Sequence, residues 1–390
     1  MKYWRGYLMA AILALTTWAI TQFAASHSVL ADMVYPYASR MIQDFLAEWT
    51  GGVDFLLWQV LAIALVVLVI SSVVLMIIFR WNFIQWLGWV MATVTFVWCL
   101  HTGLYGLNQY CGPLSQDIRL TIDPDITTTD LINSTTYYRD KANELALLVP
   151  RNPDGNLNAP SFRETAEAAA DGFDDLVYEQ NLAVFAGSTR PVKELGWADM
   201  YTSMGISGVT MPLTGEAAVN PNTHAVSLPF TICHEMAHRM CIAPERDANL
   251  AAYLACISNE DILYQYSGYF MAFRYCYNAL ASLSTSTAVN AANALYTGMN
   301  EQLTADMDAY HAHYESTVDP SASDFADSVN NSYIQASGDE SGTKSYGEVA
   351  DLLISWYIQE IYMPLHVEDE VENGFDPLDP EDVFATEPQG

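Results

Sequence analysis

Residues 228–256 read LPFTICHEMAHRMCIAPERDANLAAYLAC. The spacing predicts one helix over about 229–241 and a second from Pro244, a good first-turn residue, to about Ser258. His234-Glu235-Met236-Ala237-His238 fits the pattern H-E-x-x-H. On a helix, positions i and i+4 share a face, so the two imidazoles can converge on one metal ion, with Glu235 beside them as a general base. A site of this kind needs a third protein ligand and an open position. Glu245 lies seven residues past His238, and a turn through Ile242-Ala243-Pro244 could return it to the metal. Asn249, four residues further on the same face, could accept the second N–H of a ligand imidazole. The expected metal is a single zinc ion on His234, His238 and Glu245. The competing reading is a surface helix with two incidental histidines, Glu245 being an acid favoured by the dipole of the second helix.

Upstream of this stretch, residues 192–226 alternate apolar and turn-forming segments, which suggests short strands or extended loops. The segment Met211–Asn220 lies where zincins place a substrate-pairing edge strand, so Glu216 is a candidate substrate contact, against an exposed loop acid. Ser161 and Glu164 form a capping box for a helix over about 161–180. Residues 107–160 read as a loosely structured lead-in, with Ile122–Asn133 rich in Thr and Asp and Asn152–Pro160 rich in Asn, Pro and Gly. Downstream, helices are expected over about 261–283, 286–316, 322–336 and 345–361. Tyr266, Tyr269 and Arg274 fall on the first of these. Tyr266 could steady an oxyanion, although an aromatic stripe is more simply core. His311 and His313, two apart, do not share a face, and His224 has no assigned role. Lys344, Tyr346, Asn330 and Asn331 carry no assigned mechanism.

Residues 1–106 form a membrane part. Three apolar stretches, at about 7–29, 55–79 and 82–104, each approach the roughly 20 residues needed to cross a bilayer. Phe55 to Phe79 carries no charge, and Tyr7, Trp58, Trp81 and Tyr105 stand near span ends, as interfacial anchors do. The first stretch is read as an uncleaved span in preference to a signal peptide, because two more spans follow. Lys2, Arg5 and Arg80 against Arg40, the one base in the loop between spans one and two, place the N-terminus in the cytoplasm and residues 107–390 outside.

Four bases and four acids balance within residues 1–106, so the whole formal charge of −31 belongs to residues 107–390. Such acidity excludes nucleic acid as a partner, since phosphate contacts need clustered Lys and Arg. The expected partners are the lipid bilayer and a peptide or protein substrate. Five of six cysteines (Cys111, Cys233, Cys241, Cys256, Cys276) would lie outside, where disulfides are possible, and the sequence does not pair them. Residues 107–366 form the metal-binding domain and the acidic tail 367–390 reads as disordered.

H-E-x-x-H followed by Glu-x-x-Ala-Asn resembles the gluzincin-type metallopeptidases, among them membrane proteases and sensor or repressor-cleaving proteases. The chain is more similar to an uncharacterised bacterial domain-of-unknown-function family with three N-terminal spans and this motif. Four stretches carry the likeness: residues 105–110 (YGLNQY), 208–220 (GVTMPLTGEAAVN), 228–256, and 341–353 (SGTKSYGEVADLL). The resemblance implies a mainly α chain, three transmembrane helices followed by a predominantly helical zincin-like metallopeptidase domain with a few short strands before the metal helix. It also leads one to expect Gly where Cys241 stands, so that Cys241 must turn differently or the turn is less strained; its thiolate could reach the metal, although a buried small residue or a disulfide partner is the simpler reading. At Asp247, where it suggests Glu, the side chain is expected to face solvent. The expected activity is zinc-dependent peptide hydrolysis with Glu235 as general base and acid. The rivals are a signalling sensor and a non-catalytic receptor or scaffold stapled by zinc.

Overall fold

A computed structural model of the chain describes residues 4–337 and 346–364. Lys344 and the acidic tail from 367 lie outside the described residues, as do the side chains of Asn330, Asn331 and Tyr346. Among the described residues three helices are long and apolar enough to cross a membrane: α1 (Arg5–Ser26), α3 (Leu57–Ile78) and α4 (Phe83–Leu104). At 22 residues each, they reach about 33 Å, matching a hydrocarbon core of about 30 Å. They fall where the apolar stretches predict them. α1 stops three residues early because His27 leaves the helical region, at φ −130° and ψ 48°.

Between the first two spans the chain is helical too. Helix α2 (Ser28–Thr50) buries Ser39, Arg40, Gln43, Ala47 and Thr50 against the domain. The sequence reads this segment as the loop between spans one and two, yet it is one helix that runs through Pro36.

The lead-in over 107–160 is also more ordered than expected. After a 3₁₀ turn at Gly106–Tyr110 come α5 (Leu114–Asp117) and α6 (Thr128–Ala146). Thr127 and Asp130 form a reciprocal capping box at the start of α6, so the Thr- and Asp-rich run that reads as a turn is a helix start. The box at Ser161 and Glu164 opens α7 (Phe162–Tyr178) as predicted. Helix α8 (Ala198–Ser203) then precedes the two longer strands of the sheet.

α9 (Leu228–Arg239) and α10 (Glu245–Ile257) lie at the centre of the domain, with almost every residue buried. Ala248, Ala251, Ala252 and Ala255 have no exposed surface. Small side chains let neighbours close in: a Cβ on Gly172 of α7 would lie 2.0 Å from the Ala255 carbonyl oxygen. α11 (Ile262–Ala281) covers another flank, and α6 packs on α11. The predicted helix over 286–316 is two, α12 (Ser286–Thr297) and α13 (Glu301–Thr317), because Asn300 caps a fresh start. α14 (Pro320–Ser337) and α15 (Tyr346–Tyr357) follow. The sheet is small, in the order β1-β3-β2. β3 (Glu216–Val219) is the buried centre, pairing parallel with β1 (Lys193–Glu194) and antiparallel with β2 (Gly208–Met211). β1 and β2 are both edges, and β2 packs on α9.

Candidate metal centre

α9 projects His234 and His238 from one face, and α10 begins with Glu245 opposite them. His234 Nε2 lies 3.3 Å from one Glu245 carboxylate oxygen and His238 Nε2 lies 3.6 Å from the other. The three ligand atoms are within 4.8 Å of one another, a group that could hold a metal ion. Two imidazole nitrogens and a carboxylate are a donor set suited to zinc.

The turn joining the two helices makes this convergence possible. The Cys241 N–H donates to the His238 carbonyl (2.9 Å) and the Ile242 N–H to the Ala237 carbonyl (3.1 Å). These are the paired bonds of a Schellman helix end. Its left-handed position is filled by Cys241, at φ 71°. The resemblance suggested Gly here, and a different or less strained turn for Cys241. Instead Cys241 adopts the conformation that favours glycine. Its Sγ meets Ser39 Oγ of α2 at 3.2 Å, and it lies in a small cluster with Tyr105 and Ala243, outside the ligand group. Burial pushes its thiol up to about 11. The same turn presents the Ile242 carbonyl to His238 Nδ1 at 2.9 Å. With that nitrogen donating, Nε2 keeps its lone pair for a metal.

Glu235 is 5% exposed. Thr210 of β2 holds it from the side, its Oγ1 2.7 Å from the Glu235 carboxylate and 2.9 Å from the Glu235 carbonyl. β2 can come this close because residue 208 is glycine: a Cβ there would sit 2.4 Å from Glu235 Oε1. Burial raises the Glu235 pKa, with only partial relief from the two imidazoles. For His238, burial acts downward, but the Glu245 carboxylate outweighs it and lifts the pKa to about 9. Burial would raise Glu245, and the imidazoles overcome that, holding it well below the carboxylate range. The cluster therefore retains a proton that a dication would displace.

Other expected contacts are placed elsewhere. Asn249 does not meet an imidazole. Its Nδ2 donates to the Glu245 carbonyl (2.9 Å) and its Oδ1 accepts from Tyr275 (3.1 Å). The backbone of the Schellman turn has taken its expected role at His238, and among the described residues His234 Nδ1 is buried without a partner. Glu216 is neither an exposed loop acid nor a substrate contact. It is buried, pairs with Lys193 at 2.8 Å and accepts from the Leu57 and Trp58 N–H groups, both at 2.9 Å. It thus caps the start of span α3. Tyr266 is fully buried and donates to Asp306 (2.6 Å), which pairs with Arg151, so it holds no oxyanion site. Asp247, expected in solvent, is buried and accepts from the Leu114 N–H at 3.0 Å. Tyr269 joins an aromatic cluster with Tyr137, Tyr138 and Tyr253, and Arg274 lies over Tyr310.

Thr210 and Gly208, which shape the surroundings of Glu235, were not singled out from sequence. The signal was present in the 208–220 stretch, but strand pairing is needed to see that its first residues reach α9. His224 and His313, far apart in sequence, have ring centroids 5.6 Å apart. His313 also lines a cavity of about 340 Å³ with Asp199, Thr202 and Asn222.

Fold and site together define a membrane protein whose mainly helical domain carries a His-His-Glu group able to hold a metal, with His238 buried and His234 and Glu245 partly exposed. Residues 31–354 match the model of a family described as protein of unknown function (DUF3810), and the chain belongs to that family. No curated protein and no solved structure matches it.

Proposed function

We propose that the chain is a membrane-anchored zinc-dependent hydrolase that cleaves peptide bonds. The observation that supports this best is the convergence of His234, His238 and Glu245 beside a buried Glu235 that Thr210 holds in place. His234, His238 and Glu245 would hold one zinc ion, which when bound supplies a Lewis acid for a substrate carbonyl and lowers the pKa of water. Glu235 takes the proton of the attacking water and returns it to the leaving amine. Its burial favours this exchange, because a raised carboxyl pKa lies nearer the working pH. A zinc that only stapled α9 to α10 would need neither Glu235 nor the strand that holds it. The Lys and Arg bias of the membrane part supports a cytoplasmic N-terminus with the domain on the opposite side.

Glu235→Gln tests this in the full-length protein in detergent, assayed on a quenched-fluorescent peptide library. Zinc content stays at the wild-type level and turnover falls by about 10²–10⁴-fold, the usual weight of a general base. Turnover equal to wild type in that variant would contradict the reading.

A further inference from the structure

Helix α2 uses all its charge on one side. Asp32 accepts from the Gly112 N–H (2.9 Å) and Asp44 from the Ser188 N–H (2.7 Å). Arg40 donates to the Met240 and Ala183 carbonyls, and Glu48 pairs with Arg190. All five partner residues lie in the domain. On the rest of the helix, Val29, Met33, Tyr37, Met41, Phe45 and Trp49 repeat every fourth residue and are 62–75% exposed. A soluble surface seldom carries a contiguous apolar stripe of this length without a partner.

The direction of α2 identifies what covers that stripe. α1 and α4 touch at their starts, where a Cβ on Gly6 would lie 2.4 Å from the Gly88 carbonyl carbon, and the end of α1 reaches the 106–110 turn beyond α4. The two spans therefore run side by side in the same sense, and Ser26 lies level with the far end of α4. A straight continuation of α1 would carry Ser39 about 20 Å beyond Ser26. Instead Ser39 Oγ donates to Leu104, the last residue of α4, at 2.7 Å, and Tyr35 OH meets the Thr102 and Gly103 carbonyls at 3.1 and 3.2 Å. The chain turns sharply at His27 and crosses the ends of the spans. It re-enters a span at Leu57, whose N–H is capped by Glu216. α2 thus begins and ends at span termini, with the domain on one face and bare apolar side chains on the other.

We infer that α2 lies in the plane of the bilayer, its apolar face sunk into the boundary between headgroups and acyl chains, and seats the metal-bearing domain on the membrane. A helix with one charged face and one broad apolar face binds lipid in this way, buried to about 5–10 Å. The seat bears directly on the metal centre. Ser39 touches Cys241 at 3.2 Å, so the turn that orients His238 is held about one helix diameter above the acyl boundary.

Nitroxide labels at Met33→Cys, Met41→Cys and Phe45→Cys test this in the full-length protein in phosphatidylcholine–phosphatidylglycerol liposomes. Asp308→Cys on the domain serves as a water-exposed reference, and wild type carried through the same labelling gives the native cysteine background. At the three α2 positions, collision with oxygen exceeds collision with a water-soluble nickel chelate, and at Asp308 the order reverses. Two results would overturn the inference: nickel-dominated collision at the α2 positions, or spectra broadened by label–label coupling, which would mean that a second copy covers the stripe. Three separate exposed positions guard against one substitution disturbing the fold.

Discussion

Cys241 is the residue on which the metal turn depends. A non-glycine residue in the left-handed region costs about 1–2 kcal/mol, and Cys241 offsets part of this through Ser39 and burial. Cys241→Gly therefore stays within about 1 kcal/mol of wild type in thermal melts, because relief of strain balances the lost contact. Cys241→Val places a β-branched side chain at φ 71°, which costs about 2–3 kcal/mol. That variant also weakens zinc binding, since the Ile242 carbonyl no longer holds His238. Equal melts for the two variants would refute this. Gly208 offers a test of Glu235 that leaves every ligand in place. Gly208→Ala drives a methyl group into Glu235 Oε1, so turnover drops by about tenfold or more with zinc retained. Undiminished turnover would show that Glu235 need not occupy that position.

At the scale of elements, the sheet does two jobs. In β2, Thr210 holds Glu235, and its neighbour Met211 pairs with Glu216, the residue that caps span α3. Removing one member of a buried pair leaves the other uncompensated, at about 3–5 kcal/mol. Glu216→Gln thus destabilises the protein by about 3 kcal/mol, and adding Lys193→Met recovers part of that loss. Additive effects in this double-mutant cycle would mean that the ion pair at 2.8 Å contributes nothing. These couplings also explain what the sequence left hidden. The two helices of residues 228–256 and their metal ligands were legible because helical spacing is local. Glu216, Tyr266, Asp247 and Asn249 were assigned poorly because the side-chain and backbone partners that fix them lie mostly 23 to 159 residues away or in a backbone turn. α2 was missed because its amphipathic pattern makes sense only once both its ends are known to abut spans. α6 was missed because capping residues resemble turn residues when the helix behind them is polar.

For the whole molecule, acid stability depends on buried histidine as well as on carboxylates. Burial and the neighbouring His313 depress His224 to about 4. The unfolded chain takes up that proton near pH 6.5. Between these values the unfolded state binds more protons, so stability is lost as pH falls from 6.5 towards 4. His224→Gln removes this contribution, and the variant loses about 1–3 kcal/mol less than wild type over that interval. Identical pH profiles would rule out His224 as a source of acid sensitivity. Membrane anchoring, a helical domain and an His-His-Glu group meet in one chain, and zinc is the point on which its proposed chemistry turns. Metal analysis of the full-length protein, purified in detergent without added metal, measures this directly. Wild type should carry one zinc per chain and His234→Ala almost none, with both variants equally folded by circular dichroism. Wild type without stoichiometric zinc, or His234→Ala with as much as wild type, would contradict the assignment of His234, His238 and Glu245 as a zinc site.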